Sequence, residues 1–115
     1  MIDFKMSSLM QKSLDALWLK QRVISNNIAN IDTPGYKSKI VKFEELINDK
    51  TDLNKIPEPE IVTNNFTSIR EDGNNVDIDK ENIELYRTQI QYEYMARKLS
   101  QEFSNIKTVL TEGRK

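Results

Sequence analysis

The run Asp72-Gly73-Asn74-Asn75-Val76-Asp77-Ile78-Asp79-Lys80-Glu81 holds the densest set of side chains able to do chemistry, with carboxylate and amide oxygens recurring along it. Oxygen ligands spaced in this way suggest a calcium loop. An EF-hand begun at Asp72 needs an oxygen donor in place of Val76, glycine in place of Asp77 and glutamate in place of Ile83, and the sequence has none of these. A tight turn over Asp72–Asn75 leading into a helix capped by Asp77 or Asp79 accounts for every residue of the run. Histidine and cysteine are absent, which removes disulfides, thiolate nucleophiles, ordinary zinc sites and any imidazole base. Tyr86, Tyr92 and Tyr94 could stack on single-stranded nucleic acid, but such a platform needs a basic groove beside it. Here 17 basic and 18 acidic residues leave a net charge of −1, and the basic ones are scattered. The tyrosines read as amphipathic packing residues. Asn65-Phe66-Thr67 fits the N-glycosylation pattern, which an asparagine-rich chain produces by chance. The expectation is a chain that is not an enzyme, with no catalytic residue, metal, cofactor, nucleic acid or small-molecule substrate.

A second group of polar side chains lies in Ser25-Asn26-Asn27-Ile28-Ala29-Asn30-Ile31-Asp32-Thr33-Pro34-Gly35-Tyr36. Asparagine is a mediocre helix former whose amide competes for backbone hydrogen bonds. Asn26, Asn27 and Asn30 therefore mark a helix end held by something besides propensity. Pro34 disfavours helical geometry at Thr33 and donates no hydrogen bond. Pro34 followed by Gly35 is the signature of a type II turn, in which Gly35 takes the positive φ. The asparagine amides are expected to fix the register between helix, turn and adjacent chain, as buried polar groups do in coiled coils.

The elements that must position these groups are two heptad-patterned helices. The first is expected over 8–31, opened by Ser8 as N-cap with Gln11 completing a capping box. Its seam is Met10, Leu14, Leu17, Gln21, Ile24, Ile28 and Ile31, stepping by four and three with Gln21 as the polar position. Leu9, Trp18 and Val23 lie off the seam and suggest a second apolar surface. The second helix is expected over 77–111, with a seam of Leu85, Gln89, Tyr92, Ala96, Leu99, Phe103, Ile106 and Leu110 and Gln89 as its polar position. Ile83, Ile90 and Tyr94 form a further partial stripe, and Gly113 with Arg114 and Lys115 closes the helix. Between them, 32–76 reads as a turn and an irregular excursion. Lys37–Phe43 is extended there, Phe43–Ile47 forms a helical turn, and a short hairpin lies around Ile61-Val62 and Phe66–Ile69. The fold class is mainly α: one domain over 1–115, its two helices paired as an antiparallel coiled coil around that middle.

At 37% hydrophobic and 30% charged residues, the composition leans toward long helices, not toward a globular core. Part of the stability should then come from neighbouring chains. Met1–Ser8 lacks the apolar region of a signal peptide, and no run approaches the ~20 apolar residues of a membrane span.

Asn26-Asn27-Ile28-Ala29-Asn30 followed by Thr33-Pro34-Gly35-Tyr36 resembles the N-terminal signature of the bacterial flagellar axial proteins, the rod, hook and hook-junction family. Asp72, Gly73, Asn74, Val76 and Asp77, with Asp79 and Glu81, resemble the entry to the C-terminal helix of the proximal-rod branch, and Gln91-Tyr92-Glu93 further on resembles that branch's Tyr-Gln pair. The Tyr-Gln-Ala-Asn pattern usual in hook and distal-rod members is missing, and Thr88 stands where the proximal branch often has Asn. The resemblance spans Ser8–Glu45 and Asp72–Leu110. It implies a structural subunit of the basal-body rod that transmits torque from the membrane ring toward the distal rod and hook. It also implies passage through the flagellar type III export apparatus without a cleaved signal peptide. The partners implied are other copies of the chain, a FliE-like adaptor, a FlgC-like rod protein and the membrane ring. A FlgC-like rod protein, or a coiled-coil binding module such as an export chaperone, would use the same heptads.

Overall fold

Nothing between Phe4 and Ala29 interrupts a helix, since that stretch contains neither glycine nor proline. The computed structural model, which describes residues 4–44, 46, 56–65 and 70–113, accordingly shows helix α1 over Phe4–Ala29. Ser8 lies inside α1 and is not its N-cap, because favourable residues on both sides of it let the helix run through. At the other end the expected boundary retreats from Ile31. The amide of Ile31 bonds the carbonyl of Ile28 at 3.2 Å, and that of Thr33 bonds Asn30 at 3.0 Å, the tighter i to i+3 spacing that ends a helix.

Helix α2 spans Ile78–Glu112. Asp77 caps it, its carboxylate accepting from the amides of Asp79 (3.1 Å) and Lys80 (3.3 Å), and Asp79 and Glu81 place negative charge in the first turn. Gly113 ends the helix with a right-handed φ of −67°, so the stop does not use glycine's access to positive φ.

The helices run antiparallel. Asn27 reaches Glu81, Lys20 lies 3.9 Å from Glu84, and Ser13, Ala16 and Leu17 share a cavity wall with Gln91 and Met95. From α1 the packed face buries Ala16, Leu17, Val23, Ile24 and Asn27. Val23, expected off the seam, is covered because the hairpin described below lies against that flank, whereas Trp18 stays 52% exposed. On α2, Thr88 is the buried polar position, its hydroxyl donating to the Glu84 carbonyl at 2.7 Å. Gln89, the expected polar position, is exposed. Leu14 and Ile28 on α1, and Tyr92, Leu99 and Ile106 on α2, are half-buried.

Phe103 and Leu110 do not complete the seam within one chain, being 48% and 63% exposed. For Leu110 the reason is length. With 35 residues against 26, α2 is about 52 Å long and α1 about 39 Å at ~1.5 Å per residue. The register set by Asn27 and Glu81 puts Phe103 opposite the first described turn of α1 and Leu110 beyond it. The molecule measures 70 × 28 × 14 Å.

Strand β1 (Lys39–Lys42) pairs antiparallel with β2 (Glu60–Thr63) in the register Lys39 to Thr63 and Ile40 to Val62. The extended Lys37–Phe43 segment is thus borne out over its central residues. A hairpin does form around Ile61-Val62, but the partner strand is β1; Phe66–Ile69, the expected partner, lies outside the described residues. In the expected helical turn, Phe43 is buried and non-helical, Glu44 and Leu46 are helical, and Glu45 and Ile47 lie outside the described residues.

Candidate assembly site at the helix junction

The amide of Asn27 is the centre of the junction. It is 1% exposed and all four of its hydrogen-bonding positions are used. Its Oδ1 accepts from the Tyr36 hydroxyl and from the Lys39 amide, both at 3.0 Å. Its Nδ2 donates to the Lys39 carbonyl at 2.9 Å and to Glu81 Oε2 at 3.2 Å. The obligate donor and acceptor of Lys39 fix which end of the carboxamide is which. Asn27 thus does for Lys39 what a neighbouring strand would do, joining α1, the turn, β1 and α2 at one side chain.

Asn74, 0% exposed, closes the end of α1. Its Nδ2 lies 2.9 Å from the Asn30 carbonyl, 3.0 Å from that of Ile31 and 2.9 Å from that of Thr33, while its Oδ1 accepts from the Val76 amide at 2.8 Å. These carbonyls lie just past the end of α1; those of Asn30 and Thr33 each also accept one backbone amide, and Asn74 adds a second donor to them. Arg70 adds a guanidinium bond to the Ile31 carbonyl. Asn75 inserts into the hairpin: its Oδ1 accepts from the Ser38 amide at 2.6 Å and its Nδ2 donates to the Asn64 carbonyl at 2.7 Å.

Both turns have the geometry their residues demand. The Tyr36 amide bonds the Thr33 carbonyl at 3.2 Å with Gly35 at φ +73°, closing the type II turn. In the second segment the bond that closes the turn runs from the Gly73 amide to Arg70 at 3.1 Å, two residues before the expected Asp72–Asn75, and Gly73 is at φ +87°. A Cβ at Gly73 would sit 3.5 Å from Gly35 Cα, and one at Gly35 would meet nothing within 4 Å. The demand at Gly35 is therefore conformational alone. The Gly35 amide donates to the Asp72 carbonyl at 2.8 Å, so the two sequence motifs touch backbone to backbone.

The sequence group divides in the structure. Asn27, Asn30, Gly35, Tyr36, Asp72, Gly73, Asn74 and Val76 meet at the junction, while Asp77 serves locally as the cap of α2. Asn30 works locally, its Nδ2 on the Asn26 carbonyl at 2.8 Å and its Oδ1 accepting from Thr33 Oγ1 at 3.1 Å. The residues Asn26, Ala29, Thr33 and Pro34 are exposed, with Asn26 contributing its carbonyl. Ser38, Asn64, Arg70, Asn75 and Glu81 as junction partners escaped the sequence reading. Asn74-Asn75 repeats the Asn26-Asn27 pair, and that repeat was the available signal for Asn75.

Burial raises the Glu81 carboxyl above its usual value of 4.5, with Glu84 and Asp77 adding to the rise and the Asn27 bond and Lys80 opposing it. Burial, and then the charge of Glu81, raises the Tyr36 hydroxyl. The Asn74 amide, with Arg70, holds Asp72 below its usual 3.8. The two carboxyls have opposite linkage. A raised folded pKa at Glu81 means stability present at low pH is lost as pH rises above about 4.5. Asp72 contributes stability above 3.8 that is lost as pH falls below it. Glu81→Gln keeps an acceptor for Asn27 without the charge. Its thermal midpoint should match that of the wild type near pH 4 and exceed it increasingly toward neutrality; parallel curves would show that Glu81 ionisation does not reach the fold.

An elongated pair of helices, stitched together at one end by buried amides and carrying apolar side chains on its outside, is a structural assembly subunit. Residues 3–37, which contain α1 and the first turn, match the family described as "Flagella basal body rod protein". The chain is 40% identical to the flagellar basal body rod protein FlgB of Bacillus subtilis over 91% of its own length and 92% of that protein. Identity to FlgB of Borreliella burgdorferi is 37%, covering 96% and 99% of the two chains, and to FlgB of Escherichia coli 25%, covering 90% and 91%. The chain belongs to the FlgB family of flagellar basal-body rod proteins, structural subunits and not enzymes. No helix among the described residues is long and apolar enough to cross a membrane.

Proposed function

We propose that this chain is a proximal-rod subunit that transmits torque between the membrane ring and the distal rod. It reaches its place through the flagellar type III export apparatus. Its neighbours there are other copies of itself, a FliE-like adaptor, a FlgC-like rod protein and the membrane ring. Within the single domain, the Asn-rich motif and the Asp72–Asp77 segment hold the junction, and the uncovered apolar residues of α2 meet adjoining subunits.

The observation that carries this reading is the seam that outlasts its partner. Phe103 and Leu110 continue the heptad of Leu99 and Ile106 but remain exposed, as do Ile83, Tyr86, Ile90 and Tyr94, each at least 60% exposed. Patches of this kind on a thin molecule mark interaction surfaces, and heterologous contacts that do not close build a tube.

Phe103→Asp separates folding from assembly. Phe103 is 48% exposed, so the monomer should lose about 1 kcal/mol from the apolar area already covered, whereas burying the charge against a neighbour costs several kcal/mol. A folded monomer with only slightly lowered melting, and at least tenfold less protein in purified basal bodies, is expected. Leu99→Asp, half-buried in the intramolecular pair, should lower the melting temperature as well. Normal incorporation of Phe103→Asp would remove the extended seam from the interface.

A further inference from the structure

The two edges of the hairpin differ in what meets them. The Asn64 amide bonds the Ser38 carbonyl at 2.8 Å, so Ser38 and Asn64 occupy a hydrogen-bonding position of the antiparallel ladder, with the Asn75 side-chain amide bridging the return bond. The alternation of that ladder then makes Lys39–Thr63 and Val41–Ile61 the pairs whose backbone groups point outward. On the β1 side the outward groups of Lys39 are taken by Asn27. On the β2 side the outward amides and carbonyls are those of Ile61 and Thr63, both exposed.

Touching that strand at Ile61 is an open groove of about 750 Å³ whose lining is half apolar, from Trp18, Leu19, Val23 and Ile61, and half polar, Arg22 included. Trp18 is 52% and Ile61 49% exposed, and the Arg22 guanidinium lies 4.9 Å from the Trp18 ring centre. Arg22 is the sole charged residue among the described groove-lining residues. A two-stranded sheet with an open edge beside exposed Ile61 and Trp18 is a template for a further strand.

We propose that the outer edge of β2, with the Trp18 groove, is a strand-addition site for an extended segment of an adjoining rod subunit. The inference rests on the rod reading above. The unpaired edge selects extended backbone, the groove selects an apolar side chain beside Ile61 and Trp18, and Arg22 selects a carboxylate. The segment is not the β2 of a second copy, because such self-pairing is isologous and would close a dimer where a tube requires open contacts.

Two measurements test this. Thr63→Pro removes an outward amide while sparing the ladder bonds made by Val62 and Asn64; Thr63→Val is its control. Both should melt like wild type, and only Thr63→Pro should fall at least tenfold in purified basal bodies. Hydrogen exchange of the wild-type peptide Glu60–Asn64 should slow at least tenfold from dilute monomer to isolated basal bodies, a readout independent of how Thr63→Pro folds. Unslowed exchange in assembled protein, or normal incorporation of a folded Thr63→Pro, would overturn strand addition alone. Absence of the wild-type chain from basal bodies would overturn the rod reading together with this inference. Dimerisation in dilute solution that Thr63→Pro abolishes would overturn the assignment to a different segment.

Discussion

Asn27→Asp is expected to unfold the junction although it changes the side chain by one group. The carboxylate can still accept from Tyr36 and the Lys39 amide. It then turns an oxygen, in place of two N–H bonds, toward the Lys39 carbonyl and Glu81 Oε2. The site is 1% exposed, so the new charge has no water to meet and lies beside an existing carboxylate. An uncompensated buried charge costs about 3 to 5 kcal/mol, comparable with the whole stability of a small domain. Denaturant unfolding of the purified protein should show this loss at pH 7 and a partial recovery near pH 4, where a protonated Asp can donate one of the missing bonds. Loss without recovery would mean that shape and not hydrogen bonding governs the site. Asn27→Asp as stable as wild type at pH 7 would remove the hub altogether.

Asn74→Asp should produce the second large loss, by the same logic at the other motif. Three carbonyls converge on Nδ2 at 2.9 to 3.0 Å, and a carboxylate would oppose all of them. Asn74→Ala deletes the donors without adding charge and should cost about 1 to 3 kcal/mol, the penalty for unsatisfied buried groups. The Asp variant should be worse than the Ala variant. In both, amide exchange should accelerate around Asn30–Thr33, since the carbonyls at the end of α1 lose their cap. Equal stabilities for Ala and Asp would show that the three carbonyls do not converge on residue 74 in solution.

The two substitutions act on opposite sides of one contact, the bond from the Gly35 amide to the Asp72 carbonyl. Residues some forty positions apart in the chain complete one helix terminus. The first helix cannot finish its own end without the segment that begins the second.

Local rules carried much of this architecture. Heptad spacing, uninterrupted helix formers and the Asp77 cap sufficed for two long antiparallel helices, because each depends on residues three or four positions apart. Pro34-Gly35 likewise specified its turn, and the observed φ of +73° at Gly35 is the value that turn needs. The absence of cysteine and histidine, and the balanced charge, were also properties of the sequence alone. Asparagines at a helix end signalled that a polar lock existed, since their propensity opposes the helix they interrupt.

Which asparagine became the lock was decided in three dimensions. Asn26 and Asn27 are identical in type and adjacent in sequence, yet one is exposed and the other buried with four hydrogen bonds, because successive residues on a helix point about 100° apart and the hairpin and α2 cover only one direction. Partner choice for Ile61-Val62 was equally non-local: Asn27 holds β1 at Lys39, and Asn75 bridges Ser38 and Asn64 at the end of the hairpin. Thr88 displaced Gln89 because the direction in which α2 faces α1 is fixed at the Asn27–Glu81 contact, and Leu110 stayed uncovered because that contact also sets the register between helices of unequal length. Periodicity determines that a helix has an apolar face; how much of that face a partner covers depends on where the two helices are pinned together.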